Sequence, residues 1–149
     1  MRKELAPNDD TAQLRALETE FAAAMRNKDL DAVMAVYAPG DELFVFDVVG
    51  PPSAHCGFEA YRKAWEHFFA SLSGPLGFTV NDIHVETSGD IAYGRSLQHV
   101  SAVRAKDGRP FDYTVRVTDV YRKIAGKWLI VQEHASFPTD RRTFTPILT

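Results

Sequence analysis

Three carboxylates, one arginine and two histidines of this 149-residue chain stand where ionisable groups can do chemistry. Asp47 closes the apolar run Leu43-Phe44-Val45-Phe46 and precedes Val48-Val49-Gly50, so it stands where a strand meets a turn. A carboxylate there can point into a pocket, where partial burial raises its pKa and makes it a better proton acceptor; it can equally hydrogen-bond its own turn. Asp119 falls inside the apolar stretch Val115 to Tyr121, and a carboxyl in the middle of a strand needs a partner or a proton. Arg95 or Arg116 on a neighbouring strand would supply a salt bridge. Arg95, Leu97 and His99 alternate onto one strand face, where His99 could exchange a proton near neutral pH or simply pack.

The C-terminal run Lys127 to Phe137 follows the turn Ala125-Gly126. Strict alternation places Trp128, Ile130, Gln132, His134 and Ser136 on one side and Leu129, Val131, Glu133, Ala135 and Phe137 on the other. Both sides are mostly apolar, as in a sheet covered on one face by helices and on the other by something else, such as a second subunit. A β-bulge in this strand would invert the assignment.

The elements that must position these residues follow from periodicity. Helical spacing of Leu14, Leu17, Phe21, Ala24 and Met25 predicts a helix over about 11–27, after a disordered lead of residues 1–10 that ends in capping side chains. Asp29 caps a short second helix carrying Leu30, Val33, Met34 and Tyr37, which Pro39-Gly40 ends. After the short strand 43–47, a loop runs to Gly57. A third helix over about 58–72 carries Tyr61, Trp65, Phe68 and Phe69, residues that build a core and also line apolar pockets. Strands follow over about 78–86, 91–105, 111–123 and 127–137, separated by turn signals, and the tail 138–149 is expected to lie extended on the surface. Helices first and an antiparallel meander after is an α+β order.

Composition sets bounds. The chain is 45% apolar, enough for one domain with a core. Its net charge of −3 and scattered basic residues predict no nucleic-acid partner. Neither a signal-like start nor a stretch of bilayer-spanning length is legible, so no membrane association and a cytoplasmic location are expected. Cys56, the single cysteine, sits in a Pro- and Gly-rich loop as an incidental thiol. The five histidines show no ligand spacing and no strand leads into a phosphate loop, so neither metal nor cofactor is expected.

Four segments in this order resemble the NTF2-like superfamily, in particular its SnoaL-like and ketosteroid-isomerase-like branch. They are Asn27-Lys28-Asp29-Leu30-Asp31, Phe46-Asp47-Val48-Val49-Gly50, Arg116 to Lys123, and Gly126 to Ser136, within a domain of about 11–137. The resemblance implies a cone in which three N-terminal helices pack on a curved antiparallel sheet and enclose a pocket, with dimers through the outer sheet face. It matches Asp47 to the general base of the isomerases and Asp119 to their protonated hydrogen-bond donor, a mechanism known for ketosteroid isomerase. Likeness to the association domain of calcium/calmodulin-dependent kinases matches Arg95 to a pocket arginine, which in that setting could hold a carboxylate or enolate oxygen. Where the isomerases carry a catalytic tyrosine in the first helix, this chain has Phe21. The pocket is then expected to be lined by Phe21, Tyr37, Tyr61, Trp65, His99, Val117, Tyr121 and Glu133. Arg116, Thr118, Trp128, His134 and Ser136 would form a homodimer face, with His134 as a pocket base in the alternative. The implied activities are a cofactor-free isomerase, cyclase or hydratase acting on a small hydrophobic carbonyl compound, or a non-catalytic binding or association domain.

Overall fold

The computed structural model describes residues 9–149. Most of the expected lead lies outside the described residues, and its last two members, Asp9 and Asp10, already belong to the first helix. That helix, α1 (Asp9–Arg26), has acidic side chains in its first turn and Arg26 in its last, both matched to the helix dipole. Its buried face is Leu14, Leu17, Phe21, Ala22, Ala24 and Met25, with one ionisable intruder, Glu18. Lys28 then adopts a left-handed φ of 51°, and the Asp29 carboxylate accepts from the Ala32 amide at 3.0 Å to start α2 (Leu30–Met34).

A 3-10 turn, Gly40–Glu42, leads into β1 (Phe44–Phe46), and a two-residue strand β2 (His55–Cys56) returns from the expected loop before α3 (Phe58–Ala70). The long strands are β3 (Leu72–Ser88), β4 (Ile91–Arg104), β5 (Pro110–Ile124) and β6 (Lys127–Ser136). Strand order is β2-β1-β6-β5-β4-β3. The sheet is mixed rather than wholly antiparallel, because β1 runs parallel to β6. β3 begins six residues earlier than periodicity suggests, since Leu72 and Ser73 pair with Arg104 and Val103 before a register shift absorbs Gly74-Pro75.

Bulges bend the sheet around α1 and α3. One in β3 lies between Asn81 and His84, where Asp82 has φ 52°. The other decides β6: Val120 pairs with Gln132 but Tyr121 pairs with Ile130, which leaves Val131 unopposed. Trp128 and Ile130 therefore join the core under the helices, on the same face as Glu133, and Trp128 is corrected from the dimer face to the interior. Its indole N–H donates to Asp10 at 2.9 Å, and Lys123 bonds the same carboxylate oxygen at 2.6 Å, pinning the start of α1 to the sheet. Leu129 and Val131 pack with Ala38, Val120 and Ile124 on the other face, where Arg116, Thr118 and His134 are exposed.

Gly94 faces inward so closely beneath Tyr121 that a Cβ there would lie 2.8 Å from the phenol oxygen. The tail is folded rather than simply extended: Thr139 bridges to Pro146, and the Thr114 amide donates to the Leu148 carbonyl at 3.0 Å. Among the described residues no helix is long and apolar enough to cross a membrane.

Candidate active site

Between α3 and the concave face of the sheet lies a cavity of about 890 Å³. Met25, Trp65, Phe68, Phe78, Val100, Val115 and Val117 give it apolar walls, with Asp47, His55, Tyr61, Tyr113, Gln98 and Glu133 among its polar lining. α3 can border a cavity because Ala60 and Ala64 keep one stripe of it thin.

Asp47 satisfies both readings of its position. One oxygen accepts from the Val48 amide at 2.6 Å, as a turn aspartate does, while the side chain lines the cavity. Pairing of β1 with β2 sets His55 opposite Val45 and brings its Nε2 to 3.8 Å from the other Asp47 oxygen. Burial pushes the Asp47 pKa upward, and the Val48 amide and His55 hold it back.

Glu133 is the hub of the deepest polar group. The Tyr61 hydroxyl donates to one of its oxygens at 2.7 Å and the Tyr37 hydroxyl to the other at 3.1 Å. Asp119 lies directly across the β5–β6 ladder and hydrogen-bonds it as well. Two carboxyls bonded to each other share a proton. Burial, then the Glu133 charge, drives the Asp119 pKa far up; Glu133 is also raised by burial but held back by Tyr61, Asp119 and Tyr37. The pair titrates together above the ordinary carboxylate range, with one proton held between Asp119 and Glu133. Asp119 is 2% exposed, does not line the cavity, and keeps its Oδ1 without a partner. Buried behind the wall beside Glu133, it is not brought to a substrate oxygen in the cavity.

The expected salt bridge fails as well. Arg116 bonds Ser136 and the Phe137 carbonyl, and Arg95 lies on the opposite face of the sheet. Burial in β4 alternates so that Gly94, Ser96, Gln98 and Val100 face inward while Tyr93, Arg95 and Leu97 face out. Arg95 therefore borders a shallow outer depression with His84 and Leu97, and His99 pairs with Asp112 at 2.7 Å. Neither belongs to the cavity. The resemblance implied a pocket position for Arg95, but the face it shares with Leu97, itself 37% exposed, is the outer one.

Of the remaining expected lining residues, Tyr61, Trp65, Val117 and Glu133 reach the cavity. Phe21 supports it from behind, edge-on to Tyr37, Trp65 and Phe78 at centroid distances of 6.1, 6.2 and 5.5 Å. Tyr37 and Tyr121 also stand behind the wall. The Tyr121 hydroxyl donates to Glu18, and burial lifts the Glu18 pKa to about 7. Residues that sequence reasoning missed are His55, Gln98 and Tyr113. Tyr113 was legible from its parity with Val115 and Val117, whereas His55 gave no signal, because β2 is two residues long. Burial and the Asp47 charge push the Tyr113 pKa up to about 12, so its hydroxyl is a neutral donor beside that carboxylate. Among the described residues no group of three or more His, Cys, Asp or Glu is placed to hold a metal ion.

Residues 14–140 match the family model of the SnoaL-like domain. Comparison with curated proteins yields no match. Among solved structures, an NTF2-like protein of unknown function from Pseudomonas putida is 26% identical over 94% of each chain, with a TM-score of 0.82. An NTF2-like superfamily protein from Salmonella enterica is 16% identical, covering 94% of this chain and all of its own, with a TM-score of 0.77. A ketosteroid isomerase-like protein from Erwinia carotovora is 22% identical over 87% of this chain and 96% of its own, with a TM-score of 0.73. With three helices on a curved sheet and a family match over nearly its whole length, the chain belongs to the SnoaL-like domain family of the NTF2-like fold.

Proposed function

We propose that this protein is an acid/base enzyme, an isomerase, cyclase or hydratase, that moves a proton on a largely apolar carbonyl compound using its own side chains. One observation carries the reading: Asp47, a partly buried carboxyl of raised pKa, opens into a mostly apolar cavity beside a histidine 3.8 Å away. The cavity's size suits a drug-sized organic molecule, for which pockets run to about 1,000 Å³. Asp47 takes a proton from the carbon next to the carbonyl, and negative charge develops on the carbonyl oxygen. Asp119 and Arg95 do not meet that charge, for the reasons given above. The side chains lining the cavity that carry donors are Tyr113, through its hydroxyl, and Gln98, through its amide. His55 is placed to receive or return a proton at Asp47.

The test is solvent-deuterium uptake by hydrophobic ketones and β-dicarbonyl compounds, with wild type beside Asp47→Asn. Uptake above buffer that falls by roughly a hundred- to ten-thousand-fold in the variant is expected. Undiminished uptake in Asp47→Asn overturns the assignment.

A second reading, a binding or association domain that forms a homodimer, draws on the outer sheet face. Ile91, Tyr93 and Leu97 are exposed at alternate positions of β4, and Arg116, Thr118, His134 and Ser136 flank them on β5 and β6.

A further inference from the structure

The charged groups around the cavity are sorted by position. Asp47 stands by the start of α3, and Glu133 bonds Tyr61 in the first turn of that helix. His67 and Arg104 line the cavity toward and beyond the end of α3, and Lys63, roughly 5 Å of helical rise past Ala60, lines the wall nearer its start. The far end is a single wall: the Ala105 amide donates to the Ser71 carbonyl at 2.8 Å, and Leu72 pairs with Arg104. From Ala60 to Ser71, both cavity-lining, a helical rise of about 1.5 Å per residue amounts to roughly 16 Å. Between these ends the walls are Trp65, Phe68, Phe78 and Val100.

The basic groups have capacity to spare. Lys63 has no hydrogen-bond or ion-pair partner among the described residues. Arg104 gives one amino group to Asp107 at 2.6 Å, out of five N–H donors. That aspartate also lies 3.9 Å from Arg109, so the turn 104–109, with Arg104, Lys106 and Arg109 against Asp107, is net positive. The last carbonyls of α3, which would repel an anion, are engaged by the Ser71 amide and hydroxyl. Glu59 and Glu66 of α3 are exposed and do not line the cavity.

We infer that the substrate is an anionic amphiphile, an elongated apolar molecule whose terminal carboxylate or phosphate is held by Arg104 at the far end, with Lys63 as the second cation on the wall between, while its carbonyl lies beside Asp47. The sorting also sets direction, because an anion at the opposite end would sit between the carboxyls of Asp47 and Glu133. The inference rests on the proposed proton-transfer site, but its test needs no turnover.

Calorimetric titration of the full chain with dodecanoate, dodecyl phosphate and methyl dodecanoate, each below micellar concentration, reads it directly. At least one anion is expected to bind roughly tenfold or more tightly than the neutral ester. That advantage is expected to shrink to about threefold or less in the double variant Lys63→Gln, Arg104→Gln, whose exposed sites leave the thermal midpoint in place. The stronger of the two anions names the head group. Asp47→Asn keeps the anion preference even where it abolishes deuterium uptake, so the two readings fail separately. An ester that binds as well as both anions, a preference that survives the double variant, or binding by none of the probes overturns the inference.

Discussion

Asp47 bonds its own turn and faces the cavity at once, and this dual use sets its pH behaviour. Burial raises its pKa, so the acid limb of deuterium uptake should lie above the ordinary carboxylate range, with activity rising as pH increases through it. His55 is one of the groups holding that pKa down; His55→Gln should therefore move the limb to higher pH. A pH–rate profile of the two proteins checks both statements, and an unmoved limb would remove His55 from the site. At the deep end, Tyr61→Phe takes from Glu133 its 2.7 Å donor and leaves a buried oxygen short of a bond, at a cost of about 1–3 kcal/mol measured by urea unfolding. Tyr37→Phe removes the longer 3.1 Å bond and should cost less. Asp47 was legible as a carboxylate that either bonds its own turn or faces a pocket, and its two oxygens let it do both. Asp119 was legible as a carboxyl needing a partner or a proton, but not as the neighbour of Glu133, since that depends on the pairing of β5 with β6.

Elements turned on irregularities that periodicity does not carry. Residue Val131, unopposed on β6, moves Trp128 and Ile130 to the opposite face from the one strict alternation assigns. The helices were more legible than the strand faces, because the α1 stripe is apolar apart from Glu18 whereas β4 carries apolar residues on both sides. Glu18, the ionisable member of the α1 stripe, couples this packing to pH. Its folded pKa of about 7 lies above the 4.5 of an ordinary glutamate, so below 4.5 both states are protonated and its contribution to stability is complete. As pH rises, the unfolded chain releases the proton first and stability falls by roughly 1.4 kcal/mol per unit until the folded group titrates as well. Asp119, Glu133 and Asp47, raised too, act with the same sign. Glu18→Gln, which still accepts from Tyr121, should flatten the decline between pH 4.5 and 7; denaturant midpoints across that window test it, and an equal slope in both proteins refutes it. Gly94→Ala drives a methyl to within 2.8 Å of the Tyr121 oxygen and 3.2 Å of Val85, so overpacking should cost about 1–3 kcal/mol.

At the scale of the whole molecule, one face of the sheet is closed by α1 and α3 while the other is open, and the apolar side chains on it need an account. Ile91, Tyr93 and Leu97 of β4 are 50%, 43% and 37% exposed, and Phe46, 40% exposed, leans on His134 at a centroid distance of 5.2 Å. The area can be estimated from strand geometry. With 14 residues in β4 at about 3.3 Å each, and four long strands at about 4.8 Å spacing, the flat face is roughly 46 by 14 Å, or about 650 Å². Side-chain relief enlarges that toward the roughly 800 Å² that each partner contributes to a stable interface. Arg95, Arg116 and His99 keep the patch from being uniformly apolar, as the rim of a specific interface is polar. The proposed homodimer would place a second copy on this face, since a two-fold axis lays a surface against itself and would bring the apolar row of one β4 to that of the other. Sedimentation at micromolar concentration should give twice the 16.7 kDa chain mass for wild type. The double variant Tyr93→Glu, Leu97→Glu should shift the distribution to the single chain while leaving deuterium uptake in place, because neither side chain reaches the cavity. A monomeric wild type would leave the open face to another partner and remove the homodimer from the proposal; loss of uptake together with the dimer would mean that the second copy shapes the site.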